Sequence, residues 1–452
     1  MKTIQEPREN VKKIWGTQKI QAGQTVRLMH YLLRVDVENG VLLHNVVTGH
    51  LIFLDADEAT VLDRLPAPLS DEMTELAESH FLVPVDYDEH KAVCQLKTLI
   101  RLTENDKSIR GYTILPTTHC NARCFYCYEA DIEHFHMTSE TADKVVAFIG
   151  SHCGDDKKVS IGWFGGEPTL GWKRIDQICN GLQANGIEYS ASMISNGYLF
   201  DEEMAKKARE LWKLNMIQIT LDGTEEVYNK VKNYVKTDGS AYQRVLRNIG
   251  LLLEQDIRVS VRMNLDRHNS DDLGLLVEEL KDRFAGRDGF SAYVWPLFDD
   301  CGFAPVQHVE EDRRWLIERQ IALNDQLRAA GLYREREQSL PSIQAASCMA
   351  DNSRSLIINA NGDFGKCEHT FATDVVGNID EGITDKERVA AWRETVEYPE
   401  CAACALFPHC HVLKHCFSTK ACASATREQR LKNYARLMSE TFEKADSDRG
   451  KS

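Results

Sequence analysis

Strand-like and helix-like patterns alternate six times between residues 110 and 300, and this alternation constrains the fold more than any other feature. The strand-like segments read GYTILPT, KVSIGWF, YSASMIS, MIQITLD, IRVSVRMNL and FSAYVWPL. The segments between them, such as TADKVVAFIGSH and DLGLLVEELKDRF, have the periodicity of helices. Six strand–helix units predict an α/β fold with a parallel sheet, and they fit a partial (β/α)6 TIM barrel better than a closed eight-fold barrel.

Three closely spaced cysteines follow the first predicted strand. Cys120, Cys124 and Cys127 have three and then two residues between them. Functional groups in such barrels lie at the carboxyl ends of the strands, so this position suits a functional site. Thiolates at this spacing can converge on one metal centre, yet they leave a four-site centre one ligand short. Zinc sites also use closely spaced cysteines, so the spacing alone does not identify the metal.

The composition predicts a globular cytoplasmic protein that binds neither nucleic acid nor membrane. The 452 residues suffice for about three domains. The N-terminal MKTIQEPREN lacks the apolar run of a secretory signal, and no apolar stretch reaches ~18 residues. In a reducing compartment, fourteen cysteines favour metal ligation over disulfides. A net charge of −15 argues against binding nucleic acid, because neutralising phosphates takes Lys and Arg.

Residues 1–105 are predicted to form a separate N-terminal domain. Residues 26–55 read as a hairpin and a third strand, interrupted at Glu38-Asn39-Gly40 and at Thr48-Gly49. Two short helical patterns, the strand-like FLVPV and a helix over residues 90–103 follow. This pattern suggests a winged-helix-like module whose sheet edge could take up an extended peptide by strand addition. A purely structural domain fits the same pattern.

Cys120, Cys124 and Cys127, with the aromatic Tyr126 before the last, resemble the CX3CX2C motif of radical S-adenosylmethionine (SAM) enzymes. The resemblance implies that the cysteines hold a 4Fe-4S cluster and that the amino and carboxylate groups of SAM chelate its fourth iron. Further motifs follow successive strands in the family's order: GGEP, SNG, LDG, and then an Arg and an Asn in the fifth strand. Taken alone, SNG and LDG are also common turn sequences. By resemblance, the SAM pocket of a barrel domain over residues 106–305 comprises Tyr126, Gly165, Gly166, Glu167, Ser195, Asn196, Asp222, Arg262 and Asn264.

A second group of cysteines closely resembles the SPASM extension of radical SAM enzymes. The match consists of Cys348, Gly362 and Cys367, with thirteen and four intervening residues, and then CX2CX5C from Cys401. The family's next cysteine would fall at Lys414, where this chain departs from the pattern. The remaining predicted parts are a helical bridge over 306–345, a SPASM domain over 346–425, and a closing helix and tail over 426–452. The tail sequence ADSDRGKS reads as disordered.

The SPASM resemblance implies two auxiliary 4Fe-4S clusters, and therefore three clusters in all. The outer cluster is assigned to Cys401, Cys404, Cys410 and Cys422, and the inner cluster to Cys348, Cys367 and Cys416. The inner set is one ligand short, with Cys301 as a candidate fourth ligand; the preferred interpretation is an open iron that accepts a substrate thiolate. Zinc bound over residues 401–422 is the alternative. Glu368, at the place of a catalytic base in sulfatase-oxidising relatives, is the candidate proton acceptor.

The three parts together resemble maturases of ribosomally synthesised peptides, of the sactipeptide and ranthipeptide type. That resemblance implies a precursor peptide whose leader binds residues 1–105, and an electron donor such as flavodoxin or ferredoxin. The implied reaction cleaves SAM to a 5'-deoxyadenosyl radical, removes a hydrogen from a cysteine-rich precursor and closes a thioether between a Cys sulfur and a carbon. Carbon–carbon or carbon–oxygen crosslinking, epimerisation with Cys301 as hydrogen donor, and formylglycine formation in a sulfatase are alternatives. A non-catalytic iron–sulfur or peptide-binding scaffold is the alternative outside enzymes.

Overall fold

The computed structural model describes residues 1–16, 19–103, 108–297, 310–334, 339–346, 348–410, 412–416 and 424–449. Short strands and helices make up the first part of the chain. They are β1 Lys2–Gln5, α1 Glu9–Trp15, β2 Thr25–Leu28, β3 Leu32–Val37, β4 Gly40–Asn45, β5 Leu51–Asp55, α2 Ala56–Asp63, β6 Ala67–Pro68, α3 Thr74–Glu78, β7 Leu82–Pro84 and α4 Glu89–Thr103.

Two antiparallel sheets organise these N-terminal elements. One has four strands in the order β1-β5-β4-β3, and the other has three in the order β6-β2-β7. The hairpin β3–β4 and the third strand β5 lie where the sequence predicts them. Helix α2 begins with a capping box, in which Asp55 accepts from the backbone of Glu58 and Glu58 accepts from the backbone of Asp55. The comparison of this part with a winged helix stays a prediction.

The central part of the chain alternates strand and helix. Its elements are β8 Gly111–Ile114, α5 Ser139–His152, β9 Lys158–Trp163, α6 Trp172–Ala184, β10 Glu188–Ser195, α7 Glu202–Glu210, β11 Leu214–Thr220, α8 Glu225–Lys232, α9 Ala241–Glu254, β12 Arg258–Leu265, α10 Ser270–Phe284, β13 Phe290–Pro296 and α11 Glu310–Ala329. Strands β8 to β13 pair in sequence order, and every pairing is parallel. The predicted six-stranded parallel arrangement is therefore confirmed.

The sheet continues beyond the six predicted strands. The remaining elements are β14 Ser355–Ile358, β15 Asp363–Gly365, β16 Gly377–Asn378, β17 Gly382–Ile383, α12 Lys386–Ala391 and α13 Ser424–Arg449. Strand β14 pairs parallel with the free side of β8, and β15 to β17 then add antiparallel. The cysteine-rich part of the chain thus shares one ten-stranded sheet with the barrel.

The largest hydrophobic core lies between the barrel strands and their helices, and it includes the fully buried Trp212 and Tyr228. Helix α13 packs on the N-terminal sheet, where Met438 is buried beside Leu33 and Leu42. The expectation of a disordered tail from residue 445 is wrong up to Arg449, because α13 continues to that residue. Among the described residues, no helix combines the length and apolar character needed to cross a membrane.

Candidate active site

Cys120, Cys124 and Cys127 lie together in the loop after β8, at the end of the sheet expected for function. Burial raises the pKa of the Cys120 thiol to about 12 and that of Cys127 to about 11; nearby carboxylates and the neighbouring thiols add to both shifts. The C-terminal end of α8 anchors this loop, because the Arg123 amide donates to the Lys232 carbonyl at 2.8 Å. Three neutral, partly buried thiols that lose protons on binding a cation suit a metal-ligand set.

Two glycines let the GGEP loop run directly against the cysteine loop. Gly165 has φ +112°, and a Cβ there would lie 2.2 Å from the Thr117 carbonyl oxygen. A Cβ at Gly166 would lie 2.5 Å from the carbonyl oxygens of Thr118 and His119. Close contact between two backbone segments therefore requires glycine at both positions. The GGEP loop therefore contacts the chain that precedes Cys120.

Glu167 connects the GGEP loop to the SNG turn. Its side chain is fully buried, and its Oε1 accepts from the Ser195 hydroxyl at 2.8 Å and from the hydroxyl and amide of Thr169. Its Oε2 accepts from the Asn196 amide at 2.8 Å. Burial raises the pKa of Glu167, and these hydrogen bonds oppose the rise. The carboxylate thus holds two loops together, with its acceptors engaged inside the protein.

The LDG turn contributes a buried ion pair that joins the cysteine loop. Asp222 Oδ2 accepts from the Tyr126 hydroxyl at 2.7 Å and from Lys232 Nζ at 2.9 Å. Lys232 Nζ also donates to the Tyr126 oxygen at 2.8 Å. The pKa of Lys232 is raised well above its usual value because Asp222 and the Cys124 thiol outweigh the effect of burial. No motif in the sequence pointed to Lys232, which lies inside helix α8.

Two buried polar atoms of Asn121 and Asp222 have no hydrogen-bond partner in the described part of the chain. They are Asp222 Oδ1, an acceptor, and Asn121 Nδ2, a donor. The carbonyl oxygen of Asn121's own amide group accepts from Asn196 Nδ2 at 2.7 Å, so the group is fixed in place. A ligand that carries both hydroxyl donors and polar acceptors would satisfy both atoms. The residues present therefore fit SAM, which offers ribose hydroxyls and a carboxylate.

Arg262 and Asn264 connect the fifth barrel strand to the second cysteine group. Arg262 Nε donates to Asn264 Oδ1 at 2.8 Å, and its guanidinium lies 5.8 Å from the centre of the Trp295 ring. Its positive charge opposes the rise that burial causes in the pKa of Glu368. The sequence assigned Arg262 to the SAM pocket, and in the structure it is also close enough to act on Glu368.

The loop after Cys127 faces the loop after Cys367. The Tyr128 and His369 rings lie 4.5 Å apart between centroids. Glu129 is buried, and its Oε2 has no hydrogen-bond partner among the residues that the structure describes. Burial, with the added charge of Glu368, raises the pKa of Glu129 to about 8. The sequence analysis missed Glu129. Its position two residues after the last cysteine of the motif was the only available signal.

The structure brings together the described members of each auxiliary set. Cys367 is close enough to Cys348 and Cys416 for their charges to affect its pKa, which burial raises to about 11. Burial raises the pKa of Cys401, and the nearby Cys410 and Cys404 add to the rise. Cys301 and Cys422 lie outside the described residues.

Comparison with known proteins identifies the barrel. Residues 114–280 match the family model described as the Radical SAM superfamily. Fe-coproporphyrin III synthase of Methanosarcina barkeri is 29% identical over 199 residues, which make up 44% of this chain and 47% of that protein. The cysteine-type anaerobic sulfatase-maturating enzyme of Clostridium novyi is 26% identical over 167 residues, 34% of this chain and 43% of that protein. The chain thus spans about half the length of these curated relatives.

Two solved structures are similar over most of the chain. The enzyme anSMEcpe with bound AdoMet has a TM-score of 0.57 at 14% identity, covering 75% of this chain and 96% of that one. Streptococcus suis SuiB has a TM-score of 0.51 at 14% identity, covering 85% of this chain and 94% of that one. At this identity the likeness concerns the fold. Other structures of the two proteins contain peptides: Cp18Cys with anSMEcpe and the precursor SuiA with SuiB.

Proposed function

This chain contains a radical SAM domain of the family that residues 114–280 match, and from that premise we propose that it is a peptide maturase that forms thioether crosslinks. Its substrate would be a ribosomally synthesised, cysteine-rich precursor peptide. The thioether would join a peptide Cys sulfur to a carbon of another residue.

One observation carries this proposal: the cysteine loop of the barrel and the loop of Cys367 face each other across the Tyr128–His369 contact. Chemistry on a peptide carbon and binding of a peptide thiol require two sites that open onto one space. The closeness of Arg262, Glu129 and Glu368 supports a shared space lined from both sides.

Named residues would hold the cofactors. Cys120, Cys124 and Cys127 would ligate the radical SAM cluster, and the unpartnered atoms of Asn121 and Asp222 would bind polar groups of SAM. The chemistry that SAM and the clusters supply when bound is abstraction of a hydrogen atom and acceptance of one electron. Glu167 would act indirectly, because its hydrogen bonds fix the SNG turn and the GGEP loop relative to each other.

Glu368 is the proposed acceptor of the proton that the peptide thiol must lose. It is one residue from Cys367, and burial raises its pKa, which suits a group that takes up a proton. Glu129 would make Glu368 a better proton acceptor, because two nearby carboxylates disfavour being charged together.

Peptide binding is supported by the neighbours' own ligands, because anSMEcpe and SuiB have each been determined with a bound peptide. The match with SuiB covers 85% of this chain, against 75% for anSMEcpe. We propose that the N-terminal sheet binds the leader of the precursor along an open strand edge.

The test is anaerobic incubation of the reconstituted chain with SAM, a reductant and a cysteine-rich peptide encoded beside it, followed by mass spectrometry. We expect 5'-deoxyadenosine together with a peptide that has lost two hydrogens and one alkylatable thiol per crosslink. Cys120→Ala should abolish both signals, and Cys153→Ala, a core cysteine, should keep both. Deoxyadenosine without a change in peptide mass would contradict thioether formation, and solvent-deuterium incorporation would then indicate epimerisation.

Oxidation of a sulfatase residue to formylglycine is the second candidate, favoured by the similarity to the sulfatase-maturating enzyme of Clostridium novyi. A peptide bearing the sulfatase sequence would gain a carbonyl-reactive aldehyde under the same conditions. The two products are distinguished by labelling with a hydrazide, which a thioether does not bind.

Replacing the proposed base should separate product formation from SAM cleavage. In Glu368→Gln we expect crosslinking to fall by about 10²-fold or more, because a positioned base typically contributes that much. Deoxyadenosine production in the absence of peptide should persist, since Glu368 is not among the proposed SAM-binding groups. Chromatography of the same reactions measures crosslinking and deoxyadenosine production. Equal losses of the two would show that Glu368 supports the fold of the site and does not act as the base.

A further inference from the structure

We propose that His90, Cys94 and Glu397 form a mononuclear zinc site that joins helix α4 to the segment preceding Cys401. The site is distinct from the three cysteine groups described above. Its ligands come from two parts of the chain that are about 300 residues apart in sequence.

The distances between ligand atoms suit a single ion. His90 Nε2 lies 2.8 Å from Glu397 Oε2, and Cys94 Sγ lies 3.7 Å from Glu397 Oε1 and 4.0 Å from His90 Nε2. Ligand atoms around a tetrahedral zinc are roughly 3.3–3.8 Å apart. The Cys94–Glu397 distance already lies in this range, and binding would widen the His90–Glu397 contact by about 0.5 Å and slightly shorten the Cys94–His90 distance. In the described part of the chain, no other three His, Cys, Asp or Glu residues have ligand atoms within 4.8 Å of one another.

The secondary structure explains how the group forms. His90 and Cys94 are four residues apart in α4, so their side chains lie on the same face of the helix. Glu397 approaches that face from the segment that leads to Cys401. One Cys, one His and one carboxylate are the ligand types that zinc accepts, and the soft thiolate disfavours magnesium and calcium.

The fourth ligand position would be open to water. The His90 and Glu397 side chains keep 32% and 40% of their surface exposed, so water can reach the site from this side. The cavity of about 520 Å³ beside Cys94 and Glu397 is also lined by Cys401, Cys404 and Cys410. On binding, the Cys94 thiol would release its proton, so Zn²⁺ with one thiolate and one carboxylate would be neutral overall.

Charges around the group do not block a cation. Burial raises the pKa of Cys94, and the charge of Lys97, on the same helix, opposes that rise. Lys97 Nζ donates to the carbonyl oxygens of Phe407 and Cys410 at 3.0 and 2.9 Å. Its charge is therefore directed at backbone oxygens on the other side of the cavity.

Cys94 belongs with His90 and Glu397 more closely than with the outer cysteines, although they line the same cavity. Cys94 Sγ contacts Glu397 Oε1 at 3.7 Å and His90 Nε2 at 4.0 Å. Glu397 also adds to the rise that burial causes in the pKa of Cys401, so this carboxylate is close to both groups. The sequence analysis did not place Cys94 in any site. The sequence around Cys94 gives no sign of this site, because Glu397 lies about 300 residues away in the chain.

The site would fix the orientation of the outer cysteines relative to the N-terminal part of the chain. Helix α4 already contacts the loop between Cys404 and Cys410, where the His90 ring lies 4.7 Å from the Phe407 ring. A metal bridge to Glu397 would restrain the other side of the same cysteine group.

The experiment uses the full chain, anaerobically reconstituted with iron and sulfide and then titrated with Zn²⁺ alone after removal of weakly bound metal. We expect about one tightly bound zinc per chain, counted by mass spectrometry of the elements. His90→Gln and Glu397→Gln should each lose that zinc and keep the wild-type iron content. Glu400→Gln, an acidic neighbour lining the same cavity, should keep it.

Cobalt gives a second readout. Co²⁺ in place of zinc should show a thiolate-to-metal charge-transfer band that disappears in Cys94→Ala. If no variant changes zinc binding, or if the wild type binds none, the proposal is wrong. Loss of about four irons in Cys94→Ala with zinc unaffected would also overturn it, since Cys94 would then be a cluster ligand. Circular dichroism of the glutamine variants checks that they fold.

Discussion

At the scale of single residues, the buried pair Lys232–Asp222 determines how the cysteine loop is held. Both side chains are almost fully buried, and the Tyr126 hydroxyl completes the hydrogen bonds between them. Removing one member of a buried ion pair leaves the other charge without compensation, which costs far more than losing a surface pair.

Lys232→Met should therefore destabilise the protein by roughly 3–5 kcal/mol. We also expect weaker SAM binding, because Asp222 would lose the ammonium group that holds its carboxylate in place. Thermal unfolding and calorimetric SAM titration measure the two effects. Tyr126→Phe, which keeps the ion pair, should cost only about 1 kcal/mol. Equal effects of the two changes would contradict this account.

The backbone contact at Gly166 makes a second residue-scale prediction. In Gly166→Ala the new Cβ would lie 2.5 Å from two carbonyl oxygens, so the cysteine loop must shift. We expect iron at the first cluster to be lost, measured as iron per chain after reconstitution. Gly250→Ala is the matched control, because no atom lies within 4 Å of its new Cβ. In helix α9 this control should be neutral or stabilising by up to about 1 kcal/mol. Normal iron content in Gly166→Ala would show that the loop accommodates the methyl group.

At the scale of elements, the sequence predicted long periodic segments well and short non-local ones poorly. The six barrel strands were predicted because their apolar runs are separated by amphipathic helices. Strand β14 was not predicted: it has four residues, and its only parallel partner, β8, lies about 240 residues earlier. Such a strand is specified by the partner rather than by its own propensity.

The residues of the candidate site also fall into those that the sequence could identify and those that it could not. Its motif residues Glu167, Ser195 and Asp222 could be recognised because they follow successive strands in a fixed order. Lys232, Glu129 and the group around Cys94 could not, since each depends on contacts with residues that are distant in the sequence.

Helix α13 supplies a prediction at this scale. Met438 is fully buried between α13 and the N-terminal sheet, and the Phe442 and Phe53 rings stack at 4.9 Å nearby. Met438→Ala should lower the free energy of unfolding by about 2–5 kcal/mol, because it leaves a cavity. Glu440→Ala, on a half-exposed position of the same helix, should change it by less than about 0.5 kcal/mol. Urea unfolding followed by fluorescence compares them; similar values would mean that α13 is not firmly docked.

At the scale of the whole molecule, the segment over residues 339–346 joins the N-terminal sheet to the cysteine-rich part. The Ile343 amide donates to the Val47 carbonyl, and His44 Nε2 donates to the Pro341 carbonyl at 2.7 Å. His44 is fully buried, and burial lowers its pKa to about 4, with smaller contributions from His50 and His409. The neutral form of His44 is therefore part of this junction.

A dependence of stability on pH follows. Between pH 6.5 and 4 the unfolded chain protonates His44 while the folded chain does not, so stability is lost as the pH falls. The stability advantage of the wild type over His44→Gln should be roughly 2 kcal/mol smaller at pH 5 than at pH 7.5. Urea unfolding at the two pH values measures it, and an advantage independent of pH would mean that His44 titrates normally in the folded protein.

The pairing of β14 with β8 has a consequence for the expression of the chain. A barrel ended before Ser355 would leave the amide and carbonyl groups on one side of β8 without partners. An open strand edge of this kind recruits strands from other molecules, so the shortened barrel would aggregate. The cysteine-rich part therefore covers a strand edge of the barrel through β14. A variant of this chain without the cysteines of that part would still need β14 to keep the edge covered.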